Sequence, residues 1–484
     1  MRKRTLVLAA AMLTTTTTLL GFPAPAIAAV AKYADDFNGD GYRDLVVGAP
    51  DATVSGKAEA GAVVVLYGSA AGPSTTKKQL ISQATAGVVG AAEAYDRFGE
   101  SVASADLDAD GYADLLVGSP YEDVGDAPNR GSVTVLWGSS QGLKTGVALS
   151  TPSPAFGGDG CSFGTGLAAT SPTATSRALV SVPGWCAVRT LGGPVSRTGK
   201  PASSALFVDN PSAEDALLGD LDNNGHPDHV EISVGLGDHP AGGVFVNPHD
   251  TQTYEPPLST DGDNATIGDV NGDGYRDLVI GDPGDMTVDG TPQPGTGHLG
   301  GQIAIWPGGA QGIDPAATPI LIHQGTPGVP GSAESDDSFG ADVSVADINQ
   351  DGYGDIAVGV PGEDLSGTRD AGSVIVIPGS ATGPTGAGST SITQNSAGVP
   401  GTSERSDRFG ATVRLADFTK DGRPDLAVGT PGEYAPGANR ATGGVWVFKA
   451  SSTGLNLATS YSIMAGSVGL PTTTDTSWSS VLAP

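Results

Sequence analysis

The chain holds 484 residues, 53 acidic against 24 basic, for a formal net charge of −29. That balance excludes recognition of nucleic acid or anionic lipid through a large basic face. With 73 Gly, 35 Pro, 38% apolar and only 6% aromatic residues, the chain is punctuated too often for long helices and suits a core assembled from many short strands.

From the N-terminus, the first predicted element is an export signal at residues 1–28. Arg2, Lys3 and Arg4 form its basic region, the stretch from Leu6 to Leu20 its apolar region, and Ala26-Ile27-Ala28 its small-residue cleavage site. This predicts a secreted, extracellular protein cleaved near Ala28. The apolar run is short and is followed by Pro23 and Pro25, so a membrane anchor is not expected, and no later stretch reads as a membrane span.

Residues 29–484 read as one repeat array. Three segments, starting at Ile81, Ile322 and Ile392, align almost word for word, and an Asp-rich loop at their centre recurs in shorter repeats. The loops start at Asp36, Asp106, Asp220, Asp269, Asp347 and Asp417. Between the second and third lies a degenerate copy, about residues 150–210, which keeps FGTG from Phe163 and the strand ALVSVPG from Ala178 but lacks the acids. That makes seven units. Each reads as four short strands: one after Phe-Gly, an apolar run after the loop (Leu45–Val47, Leu115–Val117), an alternating segment (Gly61–Tyr67) and a brief ISQ-like piece. No apolar period of 3.6 persists. The predicted fold is therefore all-β, a seven-bladed β-propeller of four-stranded blades. Cys161 and Cys186 are expected to form one disulfide, stabilising by roughly 3.5 kcal/mol from loop entropy. Few residues precede Asp36 in the mature chain, whereas DTSWSSVLAP from Asp475 aligns with DRFGESVASA from Asp96. The tail is thus expected to supply the first blade with its missing strand.

The loops follow D-x-[D/N]-x-[D/N]-G-x-x-D. Oxygen side chains at positions 1, 3, 5 and 9, with a backbone carbonyl at position 7, make the oxygen-only shell that Ca2+ takes, and Gly at position 6 allows a left-handed turn. The expected ligands are Asp36, Asn38, Asp40, Tyr42 and Asp44; Asp106, Asp108, Asp110, Tyr112 and Asp114; Asp220, Asp222, Asn224, His226 and Asp228; Asp269, Asn271, Asp273, Tyr275 and Asp277; Asp347, Asn349, Asp351, Tyr353 and Asp355; and Asp417, Thr419, Asp421, Arg423 and Asp425. Up to six Ca2+ are expected, with the loop at Asp417 binding least well because Thr419 is neutral. EF-hands are excluded. Five loops carry Val or Ile at position 12, and the Glu231 of the loop at Asp220 precedes strand-like sequence.

Phe98-Gly99, the loop at Asp106 and Gly118-Ser119-Pro120, with Gly48-Ala49-Pro50 in the first unit, resemble the FG-GAP repeats of the integrin α-subunit N-terminal propeller and of bacterial secreted FG-GAP proteins. The resemblance implies loops that bind Ca2+ on one face and ligand contacts on the opposite face. The third unit departs from it in lacking the acidic loop, the fourth in lacking Phe-Gly. No inserted ligand-binding domain or leg domain is legible.

Other motifs carry less. Gly138-Ser139-Ser140-Gln141-Gly142 matches a nucleophile elbow but recurs without its serine as a hairpin turn. Gly295–Gly300 matches G-x-G-x-x-G but opens no helix. His226, His229, His239 and His249 cluster in a divergent unit. Asn264-Ala265-Thr266 fits a glycosylation acceptor. No catalytic constellation is recognisable. The expected function is a secreted, monomeric, calcium-binding module without catalysis, for an extracellular protein, glycan or cell-envelope partner. The alternative is a secreted hydrolase or lyase acting at the propeller axis. An acid-rich axial pocket would favour the enzyme, and exposed aromatics on the face opposite the loops the binder.

Overall fold

The computed structural model describes residues 30–150, 160–208, 213–233, 243–248, 257–285, 287–288, 291–292, 298–435 and 440–483. The export signal expected at 1–28 lies outside them. Strands dominate, with one four-residue helix at Ala465–Val468 among the described residues.

Seven antiparallel sheets form the blades. In the second, Val102–Ala105, Asp114–Ser119, Ser132–Leu136 and Gly146–Ala148 lie side by side in chain order. The third, fifth, sixth and seventh blades repeat this order, starting with Ala168–Thr170, Asn264–Gly268, Val343–Ala346 and Thr412–Ala416. The fourth shows Ala213–Gly219, Asp228–Ser233 and Gly243–Asn247. Residues 249–256, which follow its third strand, lie outside the described residues. The innermost strands touch one another in sequence around the axis, and the last touches the first, so the ring is closed.

Closure is made by the tail. Val481–Ala483 adds to the inner edge of the first blade, with Val46 opposite Ala483, Val47 opposite Leu482 and Gly48 opposite Val481. The tail lies one residue out of the register expected from its alignment: the Ser479 amide donates to the Gly48 carbonyl as Gly99 does to Gly118, so the fully buried Trp478, not Ser477, takes the place of Phe98, and Leu482, not Val481, that of Val102.

The pattern of the third strands needed the structure to interpret. Ala62–Leu66, expected to alternate, is apolar throughout, and both of its sides are buried. Ala62, Val64 and Leu66 pack with Val445 and Val447 of the seventh blade. Val63 and Val65 pack with Leu115 and Val117 of the second. Successive residues of the strand therefore face two neighbouring blades rather than core and solvent. Each such Val or Leu contributes about 1.5–3 kcal/mol when buried.

The glycine pairs have a mechanical explanation. The Gly99 amide donates to the Gly118 carbonyl at 2.9 Å, Gly340 to Gly359 at 3.0 Å and Gly410 to Gly429 at 3.1 Å, tying the first strand of a blade to its second. The second glycine of each pair then abuts the next blade. A Cβ at Gly359 would lie 2.1 Å from the Gly410 carbonyl oxygen, and one at Gly118 2.2 Å from that of Gly164. No side chain fits there.

Cys161 and Cys186 form the expected disulfide, with Cα atoms 5.1 Å apart. It joins the connection entering the third blade to the hairpin between that blade's second and third strands.

Candidate functional site

Strand order places all six Asp loops, with the turns between third and fourth strands, at one end of the ring, here the loop face. The hairpins between second and third strands and the connections between blades occupy the other end, the hairpin face.

Each loop is held by its own carboxylates. The position 1 aspartate accepts the amide of the position 6 glycine in all six, at 2.8–3.1 Å: Gly41 to Asp36, Gly111 to Asp106, Gly225 to Asp220, Gly274 to Asp269, Gly352 to Asp347 and Gly422 to Asp417. The position 5 side chain accepts the amide of position 7, as when Tyr42 donates to Asp40 and His226 to Asn224. Position 9 is a clamp. Asp44 accepts from Phe37 at 3.0 Å and from Gly68 at 2.9 Å, and Asp114 accepts from Leu107 and Gly138, both at 2.9 Å. Asp277, Asp355 and Asp425 make the same pair of bonds, from the loop and from the end of the third strand. Burial pushes Asp44 and Asp114 up to about 8. Position 9 therefore anchors the loop to its blade as well as facing the other acids.

Left-handed backbone occurs at position 6, as expected, and also at position 4, which the sequence reading missed: Gly39, Ala109, Asn223, Gly272, Gln350 and Lys420 have φ between 58° and 74°. Position 4 reaches the next blade. Asn223 donates to the Gly274 carbonyl at 2.6 Å and Gln350 to that of Gly422 at 2.7 Å, while Lys420 lies 3.4 Å from the Asp40 carbonyl. Where position 4 is glycine, the position 7 tyrosine of the next loop covers it. Tyr112 lies against Gly39 and Tyr353 against Gly272.

The donor set fits a hard divalent cation. One oxygen from each of Asp106, Asp108 and Asp114 lies within 4.8 Å of the others, and the same holds for Asp220, Asp222 and Asp228. Asp108 Oδ1 is buried without a hydrogen-bond partner. Two loops depart from the common form. Around the loop at Asp417 the Phe418 amide turns to the Ala416 carbonyl, so the Thr419 amide takes Asp425 Oδ2. At the second loop, Arg197 of the third blade pairs with Asp108 and Asp110 and lies 4.7 Å above the Trp137 ring. The blade without a loop thus lends a fixed cation to its neighbour.

The axis holds a cavity of about 1150 Å3 lined by the innermost strands. Glu214, Asp215, Asp263 and Asp342 line it at the hairpin-face ends of those strands, and Arg43, Arg276 and Arg414 also line it. Asp342 accepts the Val413 amide at 2.7 Å. Burial, with neighbouring carboxylates, pushes Asp215 and Asp342 from the ordinary 3.8 up to about 7. Unfolding would return both to the ordinary value. Between about pH 4 and 7 the folded chain therefore holds more protons, and these groups lower its stability as pH rises through that window. Thermal melts in chelator across pH 4–8 should show this fall, flattened in D215N/D342N. An unchanged profile in the double variant would refute the assignment.

The remaining motifs resolve structurally. Ser140, the serine of the elbow motif, sits in a tight turn closed by Ser139 Oγ, which donates to the Gly142 carbonyl, as Ser69 and Ser380 do in turns that lack that serine and Ser451 does in its own. Asn264 donates to the Gly340 and Ala341 carbonyls of the next blade, which occupies the amide that glycosylation would need. His229 and Glu231 are buried in the strand Asp228–Ser233. His239, His249 and residues 295–297 lie outside the described residues.

Comparisons with known proteins agree with this architecture. The FG-GAP repeat family model matches residues 34–66, 98–136, 339–377 and 409–448, in the first, second, sixth and seventh blades. Phosphatidylinositol-glycan-specific phospholipase D of Dictyostelium discoideum is 31% identical over 178 residues, 36% of this chain and 18% of that protein. The Mus musculus protein of the same name is 38% identical over 109 residues, 22% of this chain and 12% of that protein. Human integrin alpha-6 is 34% identical over 174 residues, 36% of this chain and 12% of that protein. The matched part thus spans less than a fifth of each of these relatives. Among the described residues no helix is long and apolar enough to cross a membrane.

Proposed function

The chain is an FG-GAP repeat protein with an integrin-like propeller, and on that premise we propose that it is a secreted, calcium-binding module that binds an extracellular protein, glycan or cell-envelope partner without catalysis. The six loops hold Ca2+ through the residues at positions 1, 3, 5, 7 and 9, and the ions brace the loop face. The hairpin face meets the partner. One observation carries this reading: Tyr95, Trp185 and Tyr434 are 59%, 44% and 43% exposed, and all three lie in hairpin-face connections. Exposed aromatics confined to one face suit a binding surface.

The test is binding of the purified chain to immobilised extracellular-matrix proteins, glycans and cell-wall material, with Ca2+ and with chelator. The Y95A/W185A/Y434A variant should retain the fold and lose at least tenfold in affinity for any surface that the parent binds. Equal binding by parent and variant would sink the reading.

The second reading, a hydrolase or lyase at the axis, draws support from Asp215 and Asp342, whose raised values suit proton transfer near neutral pH. Turnover of a glycan or peptide library that is abolished in D215N or D342N would favour it over the binding module.

A further inference from the structure

Three places on the hairpin face repeat an arrangement that the loop ions leave unexplained. A glutamine that follows the outer strand of one blade donates its Nε2 to a glutamate in the hairpin of the next: Gln83 to Glu122, Gln324 to Glu363, and Gln394 to Glu433, the last at 2.7 Å. Beside each pair sits an aspartate from the connection between the two blades, Asp96, Asp337 or Asp407, which accepts the amide of a glutamate three residues earlier. The glutamines are 5%, 4% and 1% exposed and the aspartates 2%, 2% and 0%.

The acceptor oxygens at these places outnumber the donors that reach them. Gln83 Oε1, Gln324 Oε1 and Gln394 Oε1 are all buried without a hydrogen-bond partner, and so is Asp407 Oδ1. Such an oxygen is costly unless a donor or a cation meets it. No lysine or arginine among the described residues forms an ion pair with Glu122, Glu363 or Glu433. The charges acting on Glu122 and Glu433 are carboxylates alone: Asp96, Glu93 and Asp123 on the first, Asp407 and Glu404 on the second. A buried amide oxygen, a buried aspartate and a half-buried glutamate, with no ion-paired lysine or arginine beside them, form a hard-oxygen set short of its ion.

The third blade supplies a control. Counted from Phe-Gly, Cys161 occupies the place of Asp96, Asp337 and Asp407. Counted from the proline after the second strand, Trp185 takes the place of the glutamate, and Cys186 follows it. Where the acids are missing, the disulfide ties the same connection to the same hairpin.

We propose that Gln83, Asp96 and Glu122, Gln324, Asp337 and Glu363, and Gln394, Asp407 and Glu433 form three further divalent-cation sites, of Ca2+ type, that staple adjacent blades on the hairpin face as the disulfide staples the third. These sites share no residue with the Asp loops and do not depend on them.

The experiment is a Ca2+ count on the full chain by calorimetric titration, for the parent and for E122Q/E363Q/E433Q, which keeps side-chain shape and removes the charge. Up to three fewer ions in the variant is the expected result. A variant with position 1 of all six loops changed to Asn should keep these three, which separates their failure from failure of the loop reading. Trp446 offers a readout that needs only one substitution. Its indole donates to the Pro400 carbonyl at 2.8 Å, beside Gly401, which borders Gln394. Tb3+ luminescence excited through tryptophan should fall in E433Q and in W446F. If the triple variant binds as many ions as the parent, or E433Q matches the parent in Tb3+ luminescence, the buried pairs hold a proton instead and the proposal is overturned.

Discussion

A chain ending at residue 471 is expected to lose its ring. The segment removed contains the innermost strand of the first blade, Val481–Ala483, and the fully buried Trp478. It also contains Ser479, whose carbonyl accepts Thr412 Oγ1 at 2.8 Å and whose Oγ accepts the Thr430 amide at 2.9 Å. Without it, the first and seventh blades face each other across an empty place, with strand Leu45–Ala49 unpaired on its inner edge. Trp478→Ala alone should cost about 3–5 kcal/mol, the range for a buried tryptophan. Urea melts followed by circular dichroism measure both. The truncated chain should show no cooperative transition near that of the parent, and W478A a midpoint well below it. Coincident curves for the truncated chain and the parent would refute closure by the tail.

Calcium is expected to change stability by a comparable amount. A cation that binds only the folded chain stabilises it by about 2.7 kcal/mol per site at a hundred times its Kd. The loops crowd their acids, with Asp108 and Asp110 neutralised in part by Arg197 and the other five loops lacking a comparable guanidinium among the described residues. Scanning calorimetry in chelator and then in millimolar Ca2+ should show a large rise in Tm, and Mg2+ a smaller one, since it gives up its waters reluctantly. Position 3 variants test the ligand assignment with least damage to the loop. Asp222→Ala removes an oxygen facing Asp220 and Asp228, and the Ca2+-dependent part of Tm should shrink. A Tm indifferent to chelation would sink the loop reading.

The repeats made the fold readable. Six copies of one loop, with a degenerate copy between the second and third, made the count of seven legible, and the tail's likeness to Asp96–Ala105 located the closing strand, although one residue out of register. What the sequence concealed depends on neighbours. Ala62–Leu66 is one continuous apolar run, which reads as buried, and only the ring shows that its two sides belong to two interfaces. Position 4 of the loops varies from Gly39 to Lys420, so no residue type marks it, although its backbone conformation is constant. The axial carboxylates are scattered through the sequence as Glu214, Asp215, Asp263 and Asp342, and meet because the innermost strands converge. The buried Gln83, Gln324 and Gln394 stood inside the ISQ-like segment, read as a strand end, and their glutamates lie 39 residues away in each case.

The closing strand also orders events in time. Val46 pairs with Ala483, so synthesis reaches the partner of the first blade only after every other blade has been made. Until then Leu45–Ala49 presents an open edge, the kind that recruits other strands into aggregates. Ring completion joins the most distant contacts in the chain and therefore comes slowly. Until residues 481–483 are free to fold, a chain holds an unfinished first blade, however much of its middle has folded. The last step of ring folding waits on these residues, and any helper that shields this protein has to act on the first blade until they arrive.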